Sequence, residues 1–483
     1  MHTSDVKGVA LRGPGCFVAI FVLVVVVLVG LGWTVSRHRA ALAKQADRLA
    51  LNMTLAFTHP DAGTFERAAA KARGDDWPTF AHDERRSGLE TTDTGINRAT
   101  AGNLRLRWMH SLGASAVSSP LAVGGSVYAA TSTGDVVALD AATGRERWRR
   151  HVGNSVHMTP ALVGNSLLVG DYGQFGRVGE KPRGSAFTAL DTATGAVRWR
   201  TELPGLVRSE PVVLGSTIYE GLAGGDSFSG CFNGRIITLD LKTGRKLPAE
   251  WMTVPGAHDD GGGIWSPLST DGRQIDAGTG NSCSRLGGAG YGDALVGLDP
   301  SGLRTLWHVP TFVPNVDDSD VGGGVMIAGD RGYAAGKSGY LYVVNRLTGK
   351  LLFRYDLKPY ARNGGSIATP TTDGNVVIVS SGELTDPWDK SFEQAGGDLV
   401  ALDRDANERY RIHSNYAIHG YVAFVPGVGF TALDRKLVAF DASNGTILWR
   451  GPLDDVAYAS PAVVPSGVYI VTNHGTVFAY GLP

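Results

Sequence analysis

Four side chains in the middle of the chain have types that suit chemistry, and all four stand in glycine-rich segments. Trp265 follows the run GGGI, and Asn281 follows GTG. Asp320 precedes three glycines, and Lys337 lies within GKSG. An indole can stack on a flat ligand or pack in a core. Asn281 and Asp320 could equally shape turns, and Lys337 could be a solvated turn residue, so residue type alone leaves both interpretations open.

Other familiar kinds of site are disfavoured. The chain has three cysteines, Cys16, Cys231 and Cys283, without CxxC or CxxCH spacing, so zinc and covalently attached haem are unsupported. The run His258-Asp259-Asp260 is interpreted as a solvated loop rather than a metal cluster. No phosphate-binding loop and no hydrolase elbow are evident. A net charge of −1 gives no field that would attract nucleic acid.

The elements that must position the four side chains are repeats. A strand ending in Leu-Asp or a close variant is followed by a Thr-Gly turn or a variant of it, and then by a strand that carries an aromatic residue. Such units end at Trp148, Trp199, Trp307, Phe353 and Trp449. The Asp can accept hydrogen bonds from turn amides, and the Gly supplies a positive φ. The aromatic ring is expected to pack between neighbouring sheets.

Each repeat predicts one blade of four strands. A pair such as Ser119-Pro120 or Ser460-Pro461 opens two further strands upstream of the Thr-Gly unit. Spacings of about forty to fifty residues are typical of propeller blades. Seven complete blades are predicted between about residues 115 and 451, and an eighth with three strands follows from residue 460. Residues 104–108 are expected to supply its outer strand, so the fold class is an all-β, eight-bladed β-propeller over residues 76–483.

The N-terminal region predicts a membrane anchor. Residues 13–36 carry no charge and are long enough to cross a hydrocarbon core of about 30 Å as one helix. The apolar run is too long for a cleavable signal peptide. We expect a cytoplasmic tail and transmembrane anchor over residues 1–36, and a helical stalk or linker over residues 37–75. Lys and Arg are more frequent after the apolar run, which by itself would place the body in the cytoplasm.

Several segments resemble the pyrroloquinoline-quinone (PQQ) type family of quinoprotein alcohol dehydrogenases. The lead-in DWPTFAHDERRSG at 76–88 and the Thr-Gly blades carry the resemblance across residues 76–483. The segment CFNGRIITLD at 231–240 is most similar to the polyvinyl-alcohol-dehydrogenase branch. The apolar run predicts a single-pass protein of the cell membrane, and the resemblance implies that its propeller is extracytoplasmic. In that setting Cys231 and Cys283 could form a disulfide or remain two buried thiols.

The same resemblance implies roles for individual residues. Trp265 would form the floor under the quinone, and Asn281 would help to hold calcium. Asp320, or as second candidate Asp318, would take the alcohol proton. Lys337 would contact the quinone. The family also has a calcium-ligating Glu, and the nearest carboxylate to that place in this chain is Asp226.

Two functions are therefore expected as alternatives. The first is a PQQ- and calcium-dependent alcohol dehydrogenase, which would pass electrons to a separate acceptor because the chain has no haem motif. The second is a non-catalytic binding or assembly scaffold, similar to the scaffold proteins of outer-membrane assembly. The partners would be the cytoplasmic membrane and either an alcohol or a protein at the mouth, meaning one open end of the ring. A pocket shared by Asp320, Trp265 and Lys337 would favour the enzyme.

Overall fold

The structure is a computed structural model, and its described residues form eight antiparallel sheets. The described ranges are 76–174, 183–224, 232–254, 261–282, 290–311, 319–357, 364–383 and 396–483. All of them belong to one compact unit, Ala62–Pro483. The sheets confirm the predicted eight-bladed propeller.

In each of the first four blades, four strands follow one another in sequence from the inside of the ring to its rim. Blade 1 contains β2 (Leu121–Val123), β3 (Ser126–Ala130), β4 (Asp135–Asp140) and β5 (Glu146–His151). Blade 2 contains β6 (Ala161–Val163), β7 (Ser166–Asp171), β8 (Ala186–Asp191) and β9 (Val197–Glu202). Blade 3 contains β11 (Val212–Leu214), β12 (Thr217–Ala223), β13 (Arg235–Asp240) and β14 (Lys246–Met252), and β10 (Leu206–Val207) also pairs with β12. Blade 4 contains β15 (Ser269–Thr270), β16 (Ile275–Gly278), β17 (Ala294–Asp299) and β18 (Arg304–Pro310).

Blades 5 to 7 repeat this order, and blade 8 borrows its rim strand. Blade 5 contains β19 (Met326–Ala328), β20 (Arg331–Ala335), β21 (Tyr340–Asn345) and β22 (Lys350–Asp356). Blade 6 contains β24 (Thr371–Thr372), β25 (Val377–Glu383), β26 (Gly397–Leu402) and β27 (Glu408–Ser414), and β23 (Gly364–Gly365) also pairs with β25. Blade 7 contains β28 (Ala423–Val425), β29 (Val428–Leu433), β30 (Lys436–Asp441) and β31 (Ile447–Pro452). Blade 8 contains β32 (Ala462–Val464), β33 (Gly467–Val471), β34 (Thr476–Gly481) and β1 (Arg105–Ser111).

The ring is closed by the strand that the sequence predicted. β1 pairs antiparallel with β34, with Trp108 opposite Ala479 and Met109 opposite Phe478. A short 3-10 helix, Ala101–Asn103, precedes β1. Because the first strand of the body completes the last blade, the beginning and the end of the propeller are held together in one sheet.

Neighbouring blades are joined by the predicted aromatic residues. The Trp148 indole of blade 1 donates a hydrogen bond of 3.0 Å to the carbonyl of Thr192 in the turn of blade 2. Trp199 makes the same contact to Leu241 of blade 3, at 3.0 Å. In blade 1 the Asp140 carboxylate accepts the amide of Thr143 at 2.9 Å, as predicted for the Thr-Gly turn. Buried apolar residues pack between sheets, so no blade is covered by its own residues alone.

The lead-in lies along the inner strands of the ring. Its backbone carbonyls at Pro78, Glu84 and Arg85 accept the amides of Leu162, Thr270 and Ile327, which belong to blades 2, 4 and 5. Further contacts link Trp77 to blade 1, Ser87 to blade 6 and Gly88 to blade 7. The lead-in therefore supplies hydrogen-bond partners to inner strands that have no neighbour on the axis side.

The Arg86 side chain fixes the lead-in in this position. It is fully buried, and its guanidinium donates to the carbonyls of Leu268 at 2.7 Å and Pro211 at 2.8 Å. Arg86 therefore ties the lead-in to blades 3 and 4.

Several expectations fall on residues outside the described ranges. These include the predicted anchor and stalk, and also Asp226, Cys231, His258, Cys283 and Asp318. Across the part of the chain that the structure describes, no helix is long and apolar enough to cross a membrane.

Candidate functional site

The four chemically suited residues lie on connections at the same end of the ring. Trp265 and Asp320 precede the innermost strands of blades 4 and 5. Asn281 and Lys337 follow the second strands of the same two blades. Because successive strands are antiparallel, the start of a first strand and the end of a second strand meet at one end of a sheet. This end is the mouth.

The mouth contains a cavity of about 130 Å³, called here the mouth cavity. Its walls include all four residues that the sequence singled out inside the described ranges. The lining residues are Tyr172, Leu206, Arg208, Ala223, Gly263, Trp265, Gly280, Asn281, Asp320 and Lys337. Blades 3, 4 and 5 thus contribute most of one site.

Asp320 and Lys337 form an ion pair. The Lys337 Nζ donates to Asp320 Oδ2 at 3.0 Å, and the backbone amide of Lys337 donates to the carbonyl of Asp320 at 2.9 Å. The two side chains are 10% and 21% exposed, respectively. Lys337 is therefore not a freely solvated turn residue, and the pair places a carboxylate and an ammonium group side by side in the cavity wall.

Trp265 presents its ring to this wall. It is only partly buried, so it is not a core residue, and Lys337 Nζ lies 4.9 Å from its ring centroid. The Arg208 guanidinium lies 5.0 Å from the same centroid. A Cβ at Gly322 would overlap with the indole, which gives the glycine run after Asp320 a packing reason. Cations near an indole at this distance are attracted to its π face.

Asn281 is held by a small polar network. Its Oδ1 accepts the amide of Ser319 at 3.1 Å, and the Ser319 hydroxyl donates to Asp293 Oδ1 at 3.3 Å. Asn281 does not have a positive φ, so it does not shape a left-handed turn. The network orients the Asn281 carboxamide beside the segment that carries Asp320.

The structure adds residues that the sequence analysis did not single out. Arg208 and Tyr172 line the mouth cavity, and the His157 imidazole stacks on Tyr172 with a centroid distance of 4.5 Å. Burial, with a further contribution from the Arg208 charge, lowers the pKa of His157 to about 4. His157 and Arg208 each stand three residues before the proline that opens a blade, and no motif in the sequence marks either of them as a site residue.

A second cavity of about 760 Å³ lies between the lead-in and the first hairpins of blades 1 to 4. None of the four singled-out residues lines it. Its carboxylates have structural partners: Asp76 accepts the amide of Gly124, Glu84 accepts that of Val213, and Asp271 pairs with Arg346. We therefore assign the candidate site to the mouth cavity although it is smaller.

The residues of the mouth cavity fit a flat anionic ligand. An indole face and the Lys337 ammonium group suit an aromatic ring system that carries negative charge, such as PQQ. The described cavity is smaller than the roughly 300–1,000 Å³ of typical ligand pockets, so a fused tricyclic ring requires the side chains over Trp265 to move apart. Among the described residues no cluster of three or more acidic, His or Cys side chains forms a metal site. Asn281 and Asp320 offer the oxygen atoms that calcium prefers, as two of the six to eight that it takes.

Comparisons with known proteins agree with this fold. A family model described as "Glucose/ethanol/alcohol dehydrogenase, beta-propeller domain" matches residues 77–165. A second model, "Outer membrane protein assembly factor BamB", matches residues 176–274 and 292–417. The residues that these two models match form PQQ-like β-propeller domains.

The similar proteins include enzymes. The quinohemoprotein alcohol dehydrogenase of Comamonas testosteroni is 26% identical over 356 residues, which are 62% of this chain and 48% of that protein. A polyvinylalcohol dehydrogenase of Pseudomonas sp is 23% identical over 459 residues, 80% of this chain and 69% of that one. The crystal structure of the Comamonas enzyme superimposes with a TM-score of 0.70 at 19% identity, covering 88% of this chain and 82% of that one. The chain spans about half the length of the Comamonas sequence.

Proposed function

We propose that this protein is a PQQ- and calcium-dependent alcohol dehydrogenase whose active site is the mouth cavity. The observation that carries the proposal is the convergence of Trp265, Asn281, Asp320 and Lys337 on one cavity. The names of the similar proteins, quinohemoprotein alcohol dehydrogenase and polyvinylalcohol dehydrogenase, support the same chemistry.

Each residue has a definite task in this proposal. The Asp320 carboxylate, paired with Lys337, receives the hydroxyl proton of the alcohol. Trp265 would provide the flat face that holds the cofactor ring, and Lys337 would offset negative charge on the bound cofactor. Asn281 would supply an oxygen ligand to calcium, with Asp226 as the further candidate ligand, and Asp318 is the second candidate for the residue that receives the proton. PQQ, when bound, supplies the two-electron acceptor for the oxidation.

Reconstitution tests this function. The purified chain with PQQ and calcium is expected to reduce an artificial electron acceptor when an alcohol is added. Asp320→Asn should retain PQQ but lose at least about 100-fold in turnover, because a positioned base contributes roughly that much. Asp330→Asn is the matched control, since Asp330 is 44% exposed on the first hairpin of blade 5. Turnover that is equal in Asp320→Asn and the parent would exclude Asp320 as the base.

An assembly scaffold is the second candidate. The specific support is the family model of an outer membrane protein assembly factor, which matches residues 176–274 and 292–417. Exposed apolar side chains on rim strands, Val197 in blade 2 and Leu306 in blade 4, could contact a protein partner. A scaffold would tolerate Asp320→Asn and be impaired by Leu306→Asp, measured as the amount of folded outer-membrane proteins in complemented cells. If the protein is instead the proposed enzyme, Asp320→Asn should impair it and Leu306→Asp should be tolerated.

We also propose that residues 13–36 anchor the chain in the cell membrane with the propeller outside the cytoplasm. The uncharged apolar run and the extracytoplasmic setting of the resembled family support this topology. Externally added protease should digest the body in spheroplasts but not in sealed inverted vesicles. The opposite pattern would place the body in the cytoplasm, as the distribution of Lys and Arg suggests.

A further inference from the structure

Arg208 carries a positive charge that the described protein does not neutralise. No residue in the described ranges forms a hydrogen bond or an ion pair with its guanidinium, which instead lies 5.0 Å from the Trp265 ring centroid. The side chain is partly exposed and lines the mouth cavity. A guanidinium has five N–H donors in a planar arrangement that matches the two oxygens of a carboxylate.

Among the described residues, none near Arg208 offers it a compensating negative charge. His157 is near enough for the Arg208 charge to help lower its pKa to about 4, so the imidazole is neutral at physiological pH. Asp320 is the one carboxylate among the described lining residues, and it pairs with Lys337 at 3.0 Å. The described lining therefore has two cationic groups and one anionic group, which favours an anion in the cavity.

We propose that Arg208 is a carboxylate-binding residue of the mouth cavity and that its ligand is the carboxylate of a small hydroxy acid. This inference rests on the proposed alcohol oxidation and names the substrate class. A hydroxy acid has the two groups that the walls can receive, a carboxylate for Arg208 and a hydroxyl for Asp320. The cavity of about 130 Å³ has room for a molecule of a few heavy atoms.

Glycolate and ethylene glycol are matched probes, because they differ in having a carboxylate or a second hydroxymethyl group. Calorimetric titration of the full chain, without cofactor, is expected to show glycolate binding at least 10-fold more tightly than ethylene glycol. Arg208→Gln should weaken glycolate binding about 10- to 100-fold, the range expected for one hydrogen bond to a charged group. Arg208→Lys should lose less affinity for glycolate, since lysine keeps the positive charge but lacks the planar set of N–H donors. Arg304→Gln, at an arginine that is 77% exposed on the rim, is the control and should bind as the parent does.

Equal affinities for the two probes, or unchanged glycolate binding by Arg208→Gln, would overturn the inference. Loss of PQQ affinity in Arg208→Gln with an unchanged preference for glycolate would assign the residue to a cofactor carboxylate and would also overturn it. The failure of the proposed function is distinct. If the parent does not bind PQQ but prefers glycolate through Arg208, the subsite stands and the dehydrogenase does not. If neutral alcohols are oxidised without any preference for glycolate, the dehydrogenase function stands and the Arg208 subsite does not.

Discussion

Replacing Gly195 with alanine tests how neighbouring blades are held together. Gly195 is in the turn of blade 2 at φ +69°, and an added Cβ would lie 2.6 Å from Cε3 of Trp148 in blade 1. Gly164, in the first hairpin of the same blade, has φ +61°, and its added Cβ would meet no atom within 4 Å. The two glycines therefore share the backbone strain and differ in the contact between blades.

The expected magnitudes follow from this difference. An alanine in the left-handed region costs about 1–2 kcal/mol at either position. Overpacking against the indole adds about 1–3 kcal/mol at Gly195 alone. Gly164→Ala is thus expected to lose about 1–2 kcal/mol and Gly195→Ala about 2–5 kcal/mol of unfolding free energy. Equilibrium urea unfolding, followed by fluorescence, measures both losses.

A Trp148→Ala background provides the decisive comparison. Without the indole, the extra penalty of Gly195→Ala should disappear, whereas the penalty of Gly164→Ala should remain. Equal losses for the two glycine variants in the parent would refute the packing argument. An extra penalty that persists without Trp148 would refute it as well.

Two buried ionisable side chains, Glu220 and Arg346, give further predictions. Glu220 is fully buried, and burial followed by the charge of Glu210 raises its pKa well above 4.5. Folding stability therefore falls as pH rises from 4.5 toward that raised pKa, because the carboxyl ionises in the unfolded chain but not in the folded protein. Glu220→Gln should therefore unfold at a higher temperature than the parent at pH 8–9 and show no advantage near pH 4–5; a parallel shift at every pH would contradict this. Arg346→Met should cost about 3–5 kcal/mol in urea unfolding, because it leaves the fully buried Asp276 without its cation. Arg304→Met on the exposed rim should be nearly neutral, and similar losses for the two would contradict the role of burial.

The fold could be predicted because each repeat contains its own local signals. The Thr-Gly turn, the opening proline and the outer aromatic residue fix the strand order. The strand predicted at residues 104–108 supplies the fourth strand of the eighth blade. The path of the lead-in could not be predicted. Ala81, His82 and Arg86 adopt positive φ values without a glycine, and its hydrogen bonds join blades far apart in sequence.

The site was partly predictable. Trp265, Asn281, Asp320 and Lys337 were found from glycine-rich context and family resemblance, and they do line one cavity. Arg208 was missed because its local sequence, between a short strand and a Ser-Glu-Pro opening, is like that of any blade connection. Its significance depends on the absence of a counter-ion among the described residues, which only the three-dimensional arrangement reveals.

Calorimetric titration of the full chain with PQQ in the presence of calcium tests the central claim most directly. The account predicts one PQQ per chain, and Trp265→Ala should weaken binding at least 10-fold because the indole is the stacking face of the mouth cavity. An absence of binding to the parent, or binding that is the same in Trp265→Ala, would contradict the claim.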